Sequence, residues 1–247
     1  RKVVQMSDQK FLYNDTPYKK KHDARIIGNF AEFGLKIDEP IFYPRGGGQP
    51  GDSGTLLVNG HHLKVNETVK DPEGQVYLKI DDADGITSFE DQTLVTQILD
   101  WDMRYKYMRT HTALHLLSVC LPFPVTGGQI TSEKGRIDFD MPESPDKDEI
   151  TARLNAMVEA DYSVTFDQIS QEELQKRPQL IKTMSVKPPQ NTKFVRLVRI
   201  GDDDKVIDLQ PCGGTHVHST AEIGKLFISK IEKKGRMNRR VSVVLQD

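Results

Sequence analysis

Residues 55–80 read Thr-Leu-Leu-Val-Asn-Gly-His-His-Leu-Lys-Val-Asn-Glu-Thr-Val-Lys-Asp-Pro-Glu-Gly-Gln-Val-Tyr-Leu-Lys-Ile. Three apolar or alternating runs, Thr55–Val58, His61–Val69 and Gln75–Ile80, are cut apart by the turn signals Asn59-Gly60 and Asp71-Pro72-Glu73-Gly74. Alternation with a period of two marks strands that bury one face. Outward from this stretch, Ile41–Tyr43 and Thr93–Leu99 read the same way. Short strands at such regular spacing predict a small antiparallel β-barrel over the first hundred residues.

Beyond Leu99 the pattern changes. A helix-length segment runs from Asp102 to Leu121 and stops at Pro122, with Asp100 and Asp102 placed to favour its N-terminus. A second helix is expected at Asp148–Asp161, where Ile150, Leu154, Met157 and Val158 form one apolar stripe. A third begins at Ser170, with Glu173 completing a capping box. Strands follow at Phe194–Ile200, Val206–Leu209, Ile223–Ile231 and Val241–Leu245. Helices packed on a mostly antiparallel sheet make an α+β domain. The expected division is residues 1–98 for the barrel and 99–247 for the α+β domain.

The chain has 247 residues, enough for two modest domains or one large one. No apolar run approaches the roughly 20 residues that span a bilayer, and no signal peptide is visible, so no membrane association is expected. The chain begins at Arg1 rather than Met, which leaves room for an upstream segment. Cys120 and Cys212 are the only cysteines. That excludes a disulfide framework and fits a reducing cytoplasm. Net charge is only −2, yet basic residues are segregated. Seven lie between Lys176 and Ile200 with no acidic residue, and seven between Lys225 and Arg240 opposed only by Glu232. Such polarity can make a positive face for nucleic acid, or a solvated surface. Lys187, Lys193, Arg239 and Arg240 are the candidate phosphate contacts in these runs.

Two motifs carry the chemistry. His111 and His115 stand four apart in Arg-Thr-His-Thr-Ala-Leu-His-Leu-Leu, a spacing that stacks both imidazoles on one helix face. Alone it also fits a half-buried helix surface. Pro-Cys-Gly-Gly-Thr-His at 211–216 adds the thiolate of Cys212 and the imidazole of His216, and its glycines argue for a tight turn. Together His111, His115, Cys212 and His216 have the number and types of ligand that zinc takes. Four protein ligands would close a tetrahedral site, so a structural metal stays open beside a catalytic one. Cys120 reads as core, and His218 as a structural residue or an alternate ligand. A third feature, Tyr-Pro-Arg-Gly-Gly-Gly-Gln-Pro-Gly-Asp-Ser-Gly at 43–54, lets backbone approach a ligand closely. No Gly-Lys-Ser/Thr follows, so it is not a phosphate-binding loop and no nucleotide cofactor is expected. Gly46, Gly47, Gly48, Gln49, Asp52 and Ser53 are its candidate substrate-side residues.

His-Thr-Ala-Leu-His-Leu-Leu with Cys-Gly-Gly-Thr-His-Val resembles the paired zinc motifs of alanyl-tRNA synthetase editing domains and their freestanding AlaX-type homologues. The second additional domain of threonyl-tRNA synthetase shares both motif types. Asp100-Trp101-Asp102-Met103-Arg104, Glu222-Ile223-Gly224 and the glycine-rich segment extend the resemblance over nearly the whole chain. It implies a barrel followed by an α+β editing domain. The implied activity is zinc-dependent hydrolysis of the ester joining a wrong amino acid to tRNA, mainly seryl-tRNA(Ala) and sometimes glycyl-tRNA(Ala). It implies His111, His115, Cys212 and His216 as zinc ligands at the catalytic centre, and the acceptor end of mischarged tRNA(Ala) as partner. No aminoacylation core is recognisable, so editing in trans without ATP is expected, and the C-terminal extension of longer relatives is not expected here.

An aminoacyl ester is already activated, so such an enzyme needs to place a water and stabilise an oxyanion. Zinc would acidify that water or orient the substrate, and the closed ligand set favours orientation. Three rivals stand beside this reading. One is a tRNA-binding module with a structural zinc, and another is editing of seryl-tRNA(Thr). A metallopeptidase is disfavoured, because no glutamate follows His111. The sequence does not give the oligomeric state; a monomer is the expectation.

Overall fold

The computed structural model describes residues 9–30, 34–80, 89–184 and 192–246. By its internal contacts the chain divides into two compact units, Arg1–Gly46 with Pro50–Arg104, and Gly47–Gln49 with Tyr105–Asp247. A division at residues 98 and 99 does not anticipate that Gly47–Gln49, inside the glycine-rich segment, belong with the second unit.

In the first unit a one-turn helix α1 (Leu12–Asp15) precedes six strands. These are β1 (Lys21–Phe30), β2 (Gly34–Ile37), β3 (Gly54–Val58), β4 (His61–Lys70), β5 (Val76–Ile80) and β6 (Leu94–Leu99). They close into a barrel in the order β1-β2-β5-β4-β3-β6, every pair antiparallel, with β6 returning to β1. Alternation decides the inside: Ile26, Ile37, Leu56, Val65, Leu78 and Val95 are all buried in one cluster. At Asn59-Gly60 both residues take positive φ, 50° and 81°, which is what the β3–β4 hairpin needs.

The strand expected at Ile41–Tyr43 does not form, although all three residues are buried. Side chains take its backbone groups instead. The Ile41 N–H donates to Gln97 Oε1 at 2.9 Å and the Tyr43 N–H to Asp52 Oδ2 at 2.6 Å. A segment whose amides are satisfied this way is buried without joining a ladder.

Helix α2 (Trp101–Cys120) follows the barrel. Then come β7 (Val125–Ile130), β8 (Gly135–Asp140), α3 (Lys147–Glu159), β9 (Val164–Ser170) and α4 (Gln171–Lys176). Last are β10 (Phe194–Gly201), β11 (Val206–Pro211), β12 (Leu226–Gly235) and β13 (Asn238–Leu245). Two antiparallel sheets result, β11-β10-β9 and β12-β13-β8-β7. The first packs Ile169, Val195 and Leu197 against Leu174 of α4 and Leu180. Helix α3 starts where Asp146 accepts from the amides of Asp148 and Glu149, and it buries Ile150, Leu154 and Val158. Ser170 caps α4 through the Glu173 amide, as the capping box requires. The architecture is therefore a barrel followed by an α+β region. Among the described residues no helix is long and apolar enough to cross a membrane.

Candidate metal centre

Helix α2 presents His111 and His115 one turn apart, each 6% exposed. The turn after β11 brings Cys212 and the fully buried His216 to the same place. One ligand atom from each of the four lies within 4.8 Å of every other. Cys212 Sγ stands 3.5 Å from His111 Nε2 and 3.3 Å from His216 Nε2. The ring centroids of His111 and His115 lie 4.4 and 4.6 Å from that of His216.

The glycines between Cys212 and His216 are dictated by space. A Cβ on Gly214 would sit 2.1 Å from His111 Cε1, while one on Gly213 would meet nothing within 4 Å. Arg196 holds the turn from below. It lies over the Phe166 ring at 3.8 Å and donates through Nη1 to the carbonyls of Cys212 and Gly214, both at 2.9 Å.

Each imidazole is oriented through Nδ1 by a different acceptor. His111 Nδ1 lies 2.8 Å from Gln49 Oε1. That oxygen also accepts the Thr215 amide at 3.2 Å, while Gln49 Nε2 donates to Thr215 Oγ1 at 2.8 Å, so the amide cannot be turned round. His115 Nδ1 lies 2.9 Å from Asp208 Oδ2, a carboxylate that only accepts. His216 Nδ1 lies 3.1 Å from Thr112 Oγ1, whose one hydrogen is given to Met108 O at 2.9 Å. The hydroxyl can then only accept from the ring. All three histidines therefore hold a proton on Nδ1, which leaves Nε2 as the atom each can offer to a metal ion. That is the tautomer a metal ion takes up, and outer partners of this kind fix ligand orientation.

The electrostatics agree for Cys212 and His216. Burial alone would raise the Cys212 thiol, but the positive character of His111 and His216 holds it well below the ordinary range, favouring thiolate. Burial and the neighbouring His111 charge push His216 well down, towards the neutral ring. Burial also works against the His115 cation, yet bonds to Asp208 and Cys212 outweigh it and lift His115 to about 9. Asp208 pays for its burial through His115 and Lys182, which together hold it at about 2.

The glycine-rich segment is split. Gln49, 1% exposed, joins the cluster as described. Gly48, at φ 84°, accepts the Ile130 amide at 2.7 Å, and a Cβ there would lie 2.6 Å from Gly128 O. Gly47, at φ 56°, faces open space, and Gly46 accepts from the Tyr43 hydroxyl at 3.0 Å. Asp52 lies within the barrel unit. It is 2% exposed and bound to Arg104, because a buried carboxylate needs a buried cation. Ser53 bonds to Asp100 at 3.4 Å within the barrel unit.

Of the candidate phosphate contacts, Lys187 lies outside the described residues. Lys193 is exposed, 5.6 Å over the Phe194 ring. Arg239 is corrected: it is 5% exposed, with its guanidinium on the carbonyls of Pro142, Gly235 and Asn238. Arg240 is paired with both oxygens of Asp138 at 2.8 Å. The exposed cations of the β12–β13 hairpin are Lys225, Lys230, Lys233, Lys234 and Arg236. His218 is exposed and outside the cluster. Thr112, Asp208, Gln210 and Lys182, which sequence reasoning passed over, all lie around the histidines. Asp208 and Gln210 alternate on the strand leading into Cys212, and that spacing was the available signal.

The sequence places this barrel and α+β unit, with its three-histidine, one-cysteine cluster, in a known class of protein. The family described as "Threonyl and Alanyl tRNA synthetase second additional domain" matches residues 195–242. Similar along nearly the whole chain is the alanyl-tRNA editing protein AlaX-M of Saccharolobus solfataricus, 32% identical over 93% of this chain and 96% of its own. The AlaX-M protein of Methanosarcina barkeri is 29% identical over 96% of this chain and 98% of its own. Alanine--tRNA ligase of Pyrococcus abyssi is 30% identical over 94% of this chain but only 25% of the ligase. The chain belongs to the AlaX family of alanyl-tRNA editing proteins, which are aminoacyl-tRNA hydrolases.

Proposed function

We propose that the chain is a zinc-dependent deacylase that acts in trans on seryl-tRNA(Ala), with glycyl-tRNA(Ala) as a second substrate. The observation that carries this reading is the convergence of three imidazole nitrogens and one sulfur on a single buried point. Zinc bonds of about 2.0–2.3 Å set tetrahedral ligand atoms roughly 3.3–3.8 Å apart. The Cys212 separations of 3.3 and 3.5 Å fall in that range, and a thiolate among imidazoles suits zinc better than magnesium or calcium. Relatives named as alanyl-tRNA editing proteins are matched along 96% and 98% of their own length, which supports action in trans.

His111, His115, Cys212 and His216 would hold the ion, and when bound it supplies a Lewis-acid point that orients the aminoacyl group. The chain itself does the rest. Gly47 and Gly213, where no side chain intrudes, leave backbone open to a small aminoacyl ester. Gln49 and Arg196 hold the elements on which those glycines sit. A site that hydrogen-bonds the serine hydroxyl favours serine over alanine, which lacks it; glycine lacks it too and is expected to be released more slowly than serine. Incubation with seryl-, glycyl- and alanyl-tRNA(Ala), and with seryl-tRNA(Thr), tests this. Release of serine from tRNA(Ala), with alanyl-tRNA(Ala) nearly intact, is expected. Faster release from seryl-tRNA(Thr) would move the chain to the threonyl branch, and no release from any of them would leave a binding module.

The tRNA partner is supported by the exposed cations of the β12–β13 hairpin. Reversing Lys233 and Arg236 to glutamate is expected to weaken tRNA binding and flatten its dependence on log salt by roughly 0.7–0.9 per lost phosphate contact. Zinc content should not change. Salt titrations with an unchanged slope would return the hairpin to solvated surface.

A further inference from the structure

Around His115 lies a closed polar network that the editing reaction does not by itself require. The Asp208 side chain has no exposed surface, and both of its oxygens are taken. Oδ2 accepts from His115 Nδ1 at 2.9 Å and from Gln210 Nε2 at 2.7 Å. Oδ1 accepts from Lys182 Nζ at 2.5 Å. Ser118, one turn along α2 from His115, donates to the His115 carbonyl at 2.7 Å and accepts from Lys182 and Gln210, each at 3.3 Å. His115 is thus the one cluster histidine with a carboxylate behind it; His111 has an amide and His216 a hydroxyl.

We infer that Asp208 is a positioning residue for the metal centre, and that it does this work only because it can face His115 and Lys182 as an acceptor on both sides. The reason is a count of hydrogens. A carboxylate offers an oxygen in each direction. An asparagine in its place offers one oxygen and one NH2, and two donors then compete for the single oxygen. The Lys182 ammonium forms the stronger, charge-assisted bond and draws the oxygen. The NH2 then faces His115 Nδ1, which must become an acceptor and shift its proton to Nε2, the atom the metal needs. Gln210 can follow by turning its amide over, which gives up its bond to Ser118. The same logic of a wrong tautomer applies wherever an aspartate orients a catalytic imidazole.

This inference rests on the reading that the cluster holds a metal, and the test separates the two. The full chain is stripped by a chelator and titrated with zinc against a chromophoric chelator. Cobalt(II) is bound in parallel to record its ligand-field spectrum. Asp208→Asn is expected to weaken zinc binding by about 10- to 100-fold, the usual cost of losing an outer partner, and to alter the cobalt spectrum. In a Lys182→Met background the competitor for the oxygen is gone, so Asp208→Asn should cost clearly less, a coupling read from the double-mutant cycle. Equal losses in both backgrounds, or no loss in either, overturn the inference. Should Asp208→Asn not fold, nitrogen chemical shifts of the zinc-loaded wild type decide. Metal on His115 Nε2 with a hydrogen-bonded Nδ1–H supports the inference, and metal on Nδ1 overturns it. A wild type that takes up neither zinc nor cobalt removes the metal reading itself.

Discussion

Cys212→Ala is expected to lower the rate of serine release from seryl-tRNA(Ala) by about a thousandfold or more, the several kcal/mol that a metal centre contributes. Zinc should fall well below one ion per chain in elemental analysis. Cys212 is the sole sulfur in the cluster, and its thiolate lies in reach of both His111 and His216. Its loss removes the negative charge that offsets the ion. The rest of the pocket should survive, because the three imidazoles keep their own partners in Gln49, Asp208 and Thr112. Circular dichroism and the melting curve should therefore stay close to wild type, and His111→Ala should behave likewise. A variant with full zinc and full activity would remove Cys212 from the ligand set. A variant that loses zinc and unfolds would make the metal structural, and the editing reading would then have lost its chemistry.

The ligands were legible because their chemistry is written in single residues at fixed spacings, His111 to His115 on a helix and Cys212 to His216 across two glycines. Their support was not. Asp208 acts from the middle of β11, where its only sign is a polar residue on the buried side of a short strand. Gln49 was marked for the substrate, yet its side chain is used up on His111 and Thr215. The barrel shows the same contrast. Strands β3, β4, β5 and β6 announce themselves as apolar or alternating runs, whereas β1 hides behind Lys21, His22, Asp23 and Arg25, with Ala24 and Ile26 as its inward residues. In β7 only Val125 and Ile130 are buried, and Gly127-Gly128 between them reads as a turn. The close approach here demands glycine at Gly48, where a Cβ would lie 2.6 Å from Gly128 O, whereas a Cβ on Gly127 or Gly128 would meet nothing nearer than 3.5 Å. Arg239 failed as a surface cation for a related reason: in an antiparallel strand, neighbouring arginines point to opposite faces, so one of the pair must go inside.

Arg104→Met is expected to cost the barrel about 3–5 kcal/mol, the loss that follows when one member of a buried ion pair is removed. Arg104 is fully buried, and each arm of its guanidinium has a partner. Nε donates to Asp52 Oδ2 and Nη1 to Pro17 O, both at 2.8 Å, while Nη2 reaches Ile41 O at 2.6 Å and Asp52 as well. Burial already pushes the Asp52 carboxyl above its ordinary range against the pull of Arg104. Without the arginine Asp52 must take up a proton, and two buried carbonyls lose their donors. Substituting the pair together, Asp52→Leu with Arg104→Met, should recover only part of the loss. The Tyr43 amide, which donates to Asp52 at 2.6 Å, would then also go without a partner. Trp101, the single tryptophan, packs on the barrel core and lies 5.5 Å from the Tyr18 ring. Its fluorescence therefore reports unfolding of the barrel core during urea titration. A midpoint shift worth less than about 1 kcal/mol would place the pair in the class of weak surface bridges and refute the closed, desolvated geometry described for it.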